Sequence, residues 1–431
     1  MTENYSFSTL AIHAGQQADP TTGACATPIY QTASFEFNTT EQAANLFNLA
    51  EFGNIYSRLT NPTVAVLENR VAALEGGTAA LAVSSGHAAQ FTVFHTLLEP
   101  GDEILAANKL YGGSVNQMGE SFKKFGWKTT FVDPTPAAFK AALNDNVKAI
   151  FIESLANPGG VVTDISAIAD VAHAAGIVLI VDNTLASPYL CRPIEHGADI
   201  VVHSLTKFLG GQGNSIGGVI VDSGKFDWMA PEIRDKYKTL SAPCNSYHGM
   251  VIGDVFGPAM GNIAFAIACR VLSLRDIGQC LSPQNAFYIL NGIETLPLRM
   301  QRHCDNALNV AQFLQRHDKV AWVSYAGLQD DSYHALQQKY MPAGGGAVMT
   351  FGLTDGYDAG VKMVEGVKLF KHLANIGDTR SLIIHPSSTT HRQLDEAGQI
   401  AAGAGPDVIR LSVGIEAIAD IIADLDQALN I

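Results

Sequence analysis

Six short apolar runs between residues 79 and 204, each set apart from the next by room for a helix, limit the fold more than anything else in the chain. They read AALAVSS (79–85), EILAA (103–107), KTTFV (128–132), KAIFIES (148–154), IVLIVDN (177–183) and DIVVHS (199–204). Several are continuous rather than alternating in polarity. A strand apolar on both sides must be covered on both faces, so such runs joined by helical segments predict a mostly parallel α/β sheet flanked by helices. With 47% of its 431 residues hydrophobic and only 16% charged, the chain can fill a core of that size.

Either side of this region the pattern changes. Residues 1–60 are rich in Thr, Asn and Gln and poor in periodicity, and read as an arm lying against another surface. NPTVAVLENRVAALEGG (61–77) has helical period, with Asn61 as cap, Pro62 in the first turn and Gly76-Gly77 as the stop. From about 290 the strands AVMTFGL (347–353) and DVIRLSV (407–413) alternate, as expected of a smaller α+β domain with an antiparallel sheet. The expected division is 1–60, 61–290 and 291–431.

A net charge of −14 argues against nucleic acid or an anionic membrane as partner. AFAIACRVL (264–272) is too short to span a bilayer and contains Arg270. Glycines 249, 253, 257 and 261 recur every fourth residue, but Asp254 and Pro258 inside that run favour close packing in a protein working in water. MTENYSFSTL lacks the apolar core of a signal peptide, and six scattered cysteines without metal spacing read as free thiols; both point to the cytoplasm. His203, His248, His385 and His391 show no HExxH pattern, so no metal is expected, and His203 reads equally as a core histidine or a neighbour of the site.

In an open α/β sheet, ligands sit at the carboxyl ends of the strands. Ser84-Ser85-Gly86-His87 joins the first run to a helix, a geometry that gathers free backbone N–H groups around an anion, though it also serves as a plain turn. Asp182 is the first charge after five apolar residues and is either a cap, half of an ion pair, or a group facing a cation. Asn157-Pro158 and Tyr111-Gly112-Gly113 occupy the ends of two further strands, where turn residues are also ordinary. Ser204, Thr206 and Lys207 follow the last run, 25 residues beyond Asp182 at the lysine. A lysine is almost never buried unpaired, so Lys207 is a surface group or does chemistry. Pyridoxal 5'-phosphate would use the whole set: an amine for its aldehyde, hydroxyl and backbone donors for its phosphate, an aromatic for its ring and a carboxylate for its ring nitrogen.

DIVVHSLTKFLGGQG (199–213) resembles the lysine signature of the Cys/Met-metabolism family of pyridoxal-phosphate enzymes, with Leu205 standing where a small residue is commoner. Tyr56-Ser57-Arg58 with Asn61-Pro62-Thr63, SSGHAA, YGGS, ESLANP, VDNT and IRLSVGIE resemble further motifs of that family, in its order along nearly the whole chain. The resemblance implies the fold type I of pyridoxal-phosphate transferases. It implies that Lys207 holds the cofactor, Asp182 pairs with the ring nitrogen, Tyr111 stacks on the ring and Asn157 lies near the phenolic oxygen. Ser85, Gly86, His87, Ser204 and Thr206 would hold the phosphate, while Tyr56 and Arg58 would reach the phosphate of a neighbouring subunit in a homotetramer built from dimers. Arg410, a lone guanidinium in an apolar strand, is either a salt-bridge partner or, as the resemblance implies, the receptor of the substrate α-carboxylate, with Ser381 of SLIIHPSSTTH beside it.

Three features separate replacement enzymes from lyases within the family. The chain carries an insertion around 224–249 that resembles that of sulfide-using members, including Tyr247-His248-Gly249. It has His87 where many lyases carry methionine, and Tyr111-Gly112-Gly113 lacks the cysteine of methionine γ-lyases. The expected reaction is γ-replacement on O-acetylhomoserine by sulfide, or by methanethiol, with Tyr111 or Tyr56 passing a proton to the leaving acetate. The alternative is a methionine or cystathionine γ-lyase, or a cystathionine γ-synthase, on the same scaffold.

Overall fold

The computed structural model describes residues 5–158, 160–390, 392–393, 395–401 and 403–431; His391 lies outside them. Among the described residues twelve strands form two sheets: β1 Ala79–Val83, β2 Glu103–Ala107, β3 Lys128–Val132, β4 Val147–Glu153, β5 Val178–Asp182, β6 Ile200–Ser204 and β7 Gly218–Asp222 in the larger, and β8 Val320–Ser324, β9 Val348–Leu353, β10 Lys371–His372, β11 Leu382–Ile384 and β12 Val408–Ser412 in the smaller. The large sheet has the order β1-β7-β6-β5-β4-β2-β3. Six of its strands run the same way, and β7 alone is antiparallel to both neighbours. The fully buried patterns of β2 and β7 confirm cover on both faces, as continuous apolar runs require.

The six expected strands fall within two residues of their predicted limits, and the differences have local causes. β1 stops at Val83 because Ser85 is already the cap of helix Gly86–Leu97, its hydroxyl accepting from the Ala88 amide at 3.1 Å. Helix Pro62–Glu75 matches its expected limits: Asn61 accepts from the Thr63 amide at 3.0 Å, and Gly76 ends it at φ +75°. β7 carried no signal beyond a short apolar run after a glycine-rich loop. Gly218 at its start is required, because a Cβ there would lie 2.0 Å from the Ser85 carbonyl oxygen.

Residues 1–60 are less featureless than their composition suggests. Helix Phe7–His13 packs on this chain's own helix Pro62–Glu75 and buries Ala11, while Tyr5, Ile29, Phe47, Phe52 and Tyr56 stay exposed. The small sheet has the order β10-β11-β12-β9-β8, antiparallel except for the short β10–β11 pairing. One core fills the large sheet and its helices, and a second lies between the small sheet and helix Ile418–Leu429. The 19-residue helix Leu296–Leu314 joins them: Leu296, Met300 and Cys304 belong to the first core, and Ala307, Val310, Ala311 and Leu314 to the second. In the glycine run, Gly253 lets Met229 approach to 2.3 Å of where a Cβ would sit, which is close packing. Among the described residues no helix is long and apolar enough to cross a membrane.

Candidate active site

The carboxyl ends of β1, β4, β5 and β6 open on one cavity of about 300 Å³, closed on its other side by residues 374–376, Thr390 and Arg410 from the C-terminal part of the chain. Ten of the thirteen residues singled out in the sequence line it: Ser85, Gly86, His87, Tyr111, Asn157, Asp182, Ser204, Thr206, Lys207 and Arg410. Strand alternation explains the convergence, since the final residues of β4 and β5, Glu153 and Asp182, are register partners and face the same side.

Lys207 has no carboxylate partner among the described residues. Its Nζ donates to Asn375 Oδ1 at 2.5 Å, and burial, reinforced by the charge of Arg410, lowers its pKa from 10.5 to about 8. A lysine whose pKa is brought toward neutral pH inside a cavity has more of its amine free to react than a surface lysine does. Arg410 is likewise free of any protein carboxylate among the described residues, donating to Asn157 Oδ1 at 3.2 Å and to the Asn375 carbonyl at 3.4 Å. Burial lowers its pKa too. Two basic side chains in one cavity, neither ion-paired to the carboxyls that also line it, make a receptor for anionic ligands.

Asp182 is neither helix cap nor ion pair: Oδ1 accepts from the Thr184 amide at 2.9 Å and Oδ2 from Gln90 Nε2 at 3.3 Å. Behind it sits Glu153, whose Oε1 accepts from the Tyr111 amide at 2.6 Å and Oε2 from the Asn157 amide at 3.2 Å. Burial and then the neighbouring Asp182 charge raise the Glu153 pKa well above the usual carboxylate range. Tyr111 stacks against His87 with ring centroids 5.9 Å apart. Ser204 closes on the N-terminus of helix Gly86–Leu97 so tightly that a Cβ on Gly86 would stand 2.9 Å from Ser204 Cβ. The result is a backbone cradle next to two hydroxyls, at the positive end of a helix dipole.

Three expected residues lie elsewhere. Ser381 is fully buried and does not line the cavity: its hydroxyl donates to Glu416 Oε2 and accepts from the Gly414 amide, both at 2.9 Å, which commits its one donor and pins the turn. Tyr56 and Arg58 line a separate surface hollow with Cys280 and Pro283, and Arg58 donates to the Arg275 carbonyl. Within one chain the arm does not reach the cavity. Conversely, Gln90, Glu153, Thr184, Asn375 and Thr390 line it without having been singled out. Glu153 stood in the ESLANP stretch and Gln90 one turn beyond His87, so both were within reach; Asn375, 168 residues from Lys207, had no local signal.

These residues fit pyridoxal 5'-phosphate. A near-neutral lysine, a carboxylate without a cation, hydroxyls and a glycine-lined cradle at a helix N-terminus match the aldehyde, ring nitrogen and phosphate. The Gln90 Oε1 atom, buried in the same wall, has no partner of its own among the described residues. This arrangement on this fold is that of a pyridoxal-phosphate enzyme. The chain belongs to the family of Cys/Met metabolism PLP-dependent enzymes, whose model matches residues 8–430. It is 51% identical over 436 residues to the O-acetyl-L-homoserine sulfhydrylase of Leptospira meyeri, covering 100% of this chain and 98% of that protein. The homocysteine synthase of Schizosaccharomyces pombe is 48% identical, with 100% and 99% covered. A crystal structure from Campylobacter jejuni, described as an O-acetylhomoserine (thiol)-lyase carrying N'-pyridoxyl-lysine-5'-monophosphate, superposes with a TM-score of 0.94 at 39% identity, over 99% of this chain and 100% of that one.

Proposed function

We propose that the protein is an O-acetylhomoserine sulfhydrylase. It replaces the acetoxy group of O-acetyl-L-homoserine by sulfide, or by methanethiol, to give homocysteine or methionine. The γ-carbon–oxygen bond breaks with its electron pair leaving on acetate, and a γ-carbon–sulfur bond forms. The full-length identity to sulfhydrylases carries this reading, supported by a cavity that pairs a near-neutral lysine with an unpartnered arginine.

Pyridoxal phosphate, when bound, supplies an electron sink for negative charge that develops on the substrate. In this reading Ser85, Gly86, His87, Ser204 and Thr206 grip its phosphate, Asp182 faces its ring nitrogen, Tyr111 covers its ring and Asn157 lies near its phenolic oxygen. Lys207 anchors it and, once free, carries the proton of the substrate α-carbon. Arg410 binds the α-carboxylate through its two-pronged fork. Tyr111 or Tyr56 delivers a proton to the leaving acetate. Tyr56 and Arg58 belong to the site of a neighbouring copy, in a cytoplasmic homotetramer whose protomers divide into an arm (1–60), a cofactor-binding domain (61–290) and a C-terminal domain (291–431).

The test is an assay of purified protein with pyridoxal phosphate, sulfide and O-acetylhomoserine, O-succinylhomoserine or O-acetylserine in turn. Homocysteine and acetate formed in equal amounts, with the acetyl-homoserine ester preferred, is the expected result. Release of 2-oxobutyrate and ammonia without any thiol product identifies a γ-lyase instead.

A further inference from the structure

Below the cavity lies a second polar layer. The residue beside each site group at the ends of β4, β5 and β6 points to the opposite sheet face, as strand alternation requires: Ser154 beside Glu153, Asn183 beside Asp182 and His203 beside Ser204. These three side chains are fully buried, and Asn183 and His203 meet at Glu75, the last residue of helix Pro62–Glu75, with Ser154 joined to them through Asn183. Ser154 Oγ donates to Asn183 Oδ1 at 2.7 Å, Asn183 Nδ2 donates to Glu75 Oε1 at 2.8 Å, and His203 Nε2 meets the same oxygen at 2.6 Å.

The arrangement is expensive. Glu75 is completely buried at the negative end of a helix, where the dipole disfavours a carboxylate. Among the described residues its Oε2 and the His203 Nδ1 both lack partners, and buried polar atoms are seldom left so in native proteins. An apolar filling of the same shape would be easier to stabilise. What the polar layer offers instead is direction: one oxygen fixes where β5 and β6 stand relative to each other, and Asn183 passes the constraint on to β4.

We infer that Glu75 and His203 are positioning residues that set the spacing between Asp182 and Ser204, the groups assigned above to the ring nitrogen and the phosphate of the cofactor. This inference rests on that assignment of the cavity. The pair touches neither cofactor nor substrate; it acts through the two strand ends. Glutamine at 75 retains an acceptor for both Asn183 and His203, whereas alanine retains none.

The experiment measures the dissociation constant of pyridoxal phosphate from cofactor-free protein, together with the absorbance maximum of the bound cofactor, for Glu75→Ala, Glu75→Gln, His203→Leu and Asp182→Asn. Leu425→Ala, in the second core, serves as a control for lost stability alone. Glu75→Ala and His203→Leu should weaken cofactor binding by about tenfold, as expected for one lost buried hydrogen bond to a charged group, and shift the absorbance maximum. Glu75→Gln should recover most of both, and Leu425→Ala should lower Tm while changing neither. If Glu75→Ala does not fold, His203→Leu and Glu75→Gln read the same two quantities. Binding and spectrum within twofold of wild type in His203→Leu, alongside weakened binding in Asp182→Asn, overturns the inference and leaves the cavity assignment standing. Wild-type behaviour in Asp182→Asn as well overturns the assignment itself, and the inference with it.

Discussion

Lys207 Nζ donates to Asn375 Oδ1 at 2.5 Å, while the carbonyl of the same asparagine accepts from Arg410 at 3.4 Å. One residue from an irregular stretch of the C-terminal part thus touches both cations of the cavity. The backbone there is pressed against the lysine's own: Gly377, at φ +73°, would place a Cβ only 2.7 Å from the Phe208 amide nitrogen. A side chain at 377 would push Asn375 off the lysine.

The amine of Lys207 should titrate near 8, because burial and then Arg410 disfavour its charged form. Above that pH the neutral amine predominates, so capture of pyridoxal phosphate by cofactor-free protein should speed up as pH rises through about 8. Asn375→Asp places a carboxylate against the amine and should raise the midpoint by about one unit or more. Acylation of Lys207 in cofactor-free protein, followed by mass spectrometry across pH, measures both; an unmoved midpoint in the aspartate variant would count against the contact.

Among the described residues Arg410 has only amide and carbonyl partners, leaving its fork available to a carboxylate. Arg410→Ala should raise KM for the amino-acid substrate by about 30-fold or more, with a much smaller change in kcat. Arg410→Lys should recover only part of this, since an ammonium cannot reproduce the paired geometry. The Lys207 midpoint should also rise in the alanine variant, because the one neighbouring charge that depresses it is gone and burial alone remains.

Lys207→Ala should lose cofactor on dialysis and cost roughly 10³-fold or more in turnover, the scale of a missing proton carrier. Retention of an unchanged cofactor absorbance in this variant would mean that another amine holds it.

Glu153 is a buried carboxyl whose pKa stands well above 4.5, by burial first and by the Asp182 charge second. A carboxyl raised in the folded state favours folding below its unfolded pKa and loses that advantage as pH climbs toward its folded value. Glu153→Gln does not titrate. Its Tm relative to wild type should therefore improve as pH rises from about 4.5 upward, even though one of the two amides held by Glu153 loses its acceptor. A constant difference in Tm across pH would show that Glu153 ionises normally.

Much of this site was legible because its groups come from the ends of regular strands. A continuous apolar run announces a strand, and the first polar residue after it marks the edge of the sheet, which is how Asp182, Ser204 and Ser85 declared themselves. Helix Pro62–Glu75 was readable at both ends for a similar reason: Asn61 and Gly76 each answer a local backbone demand. Asn375 and Thr390 answer no such demand. They reach the cavity only through the packing of the C-terminal part, which no neighbouring residue encodes. Ser381 is the converse case. It lies six positions from Asn375 in a stretch that does touch the site, but the turn between them sends its hydroxyl to Glu416 rather than to the cavity.

Helix Leu296–Leu314 has a mechanical consequence. At about 1.5 Å per residue it is a rod of about 28 Å, planted in one core and clasped by the other. Neither lobe can melt without unseating half of that rod, so heat should take the polypeptide apart in one step. For the same reason, any swing of the small lobe that brings Arg410 toward Lys207 must bend the rod or turn about its middle, near Cys304 and Ala307.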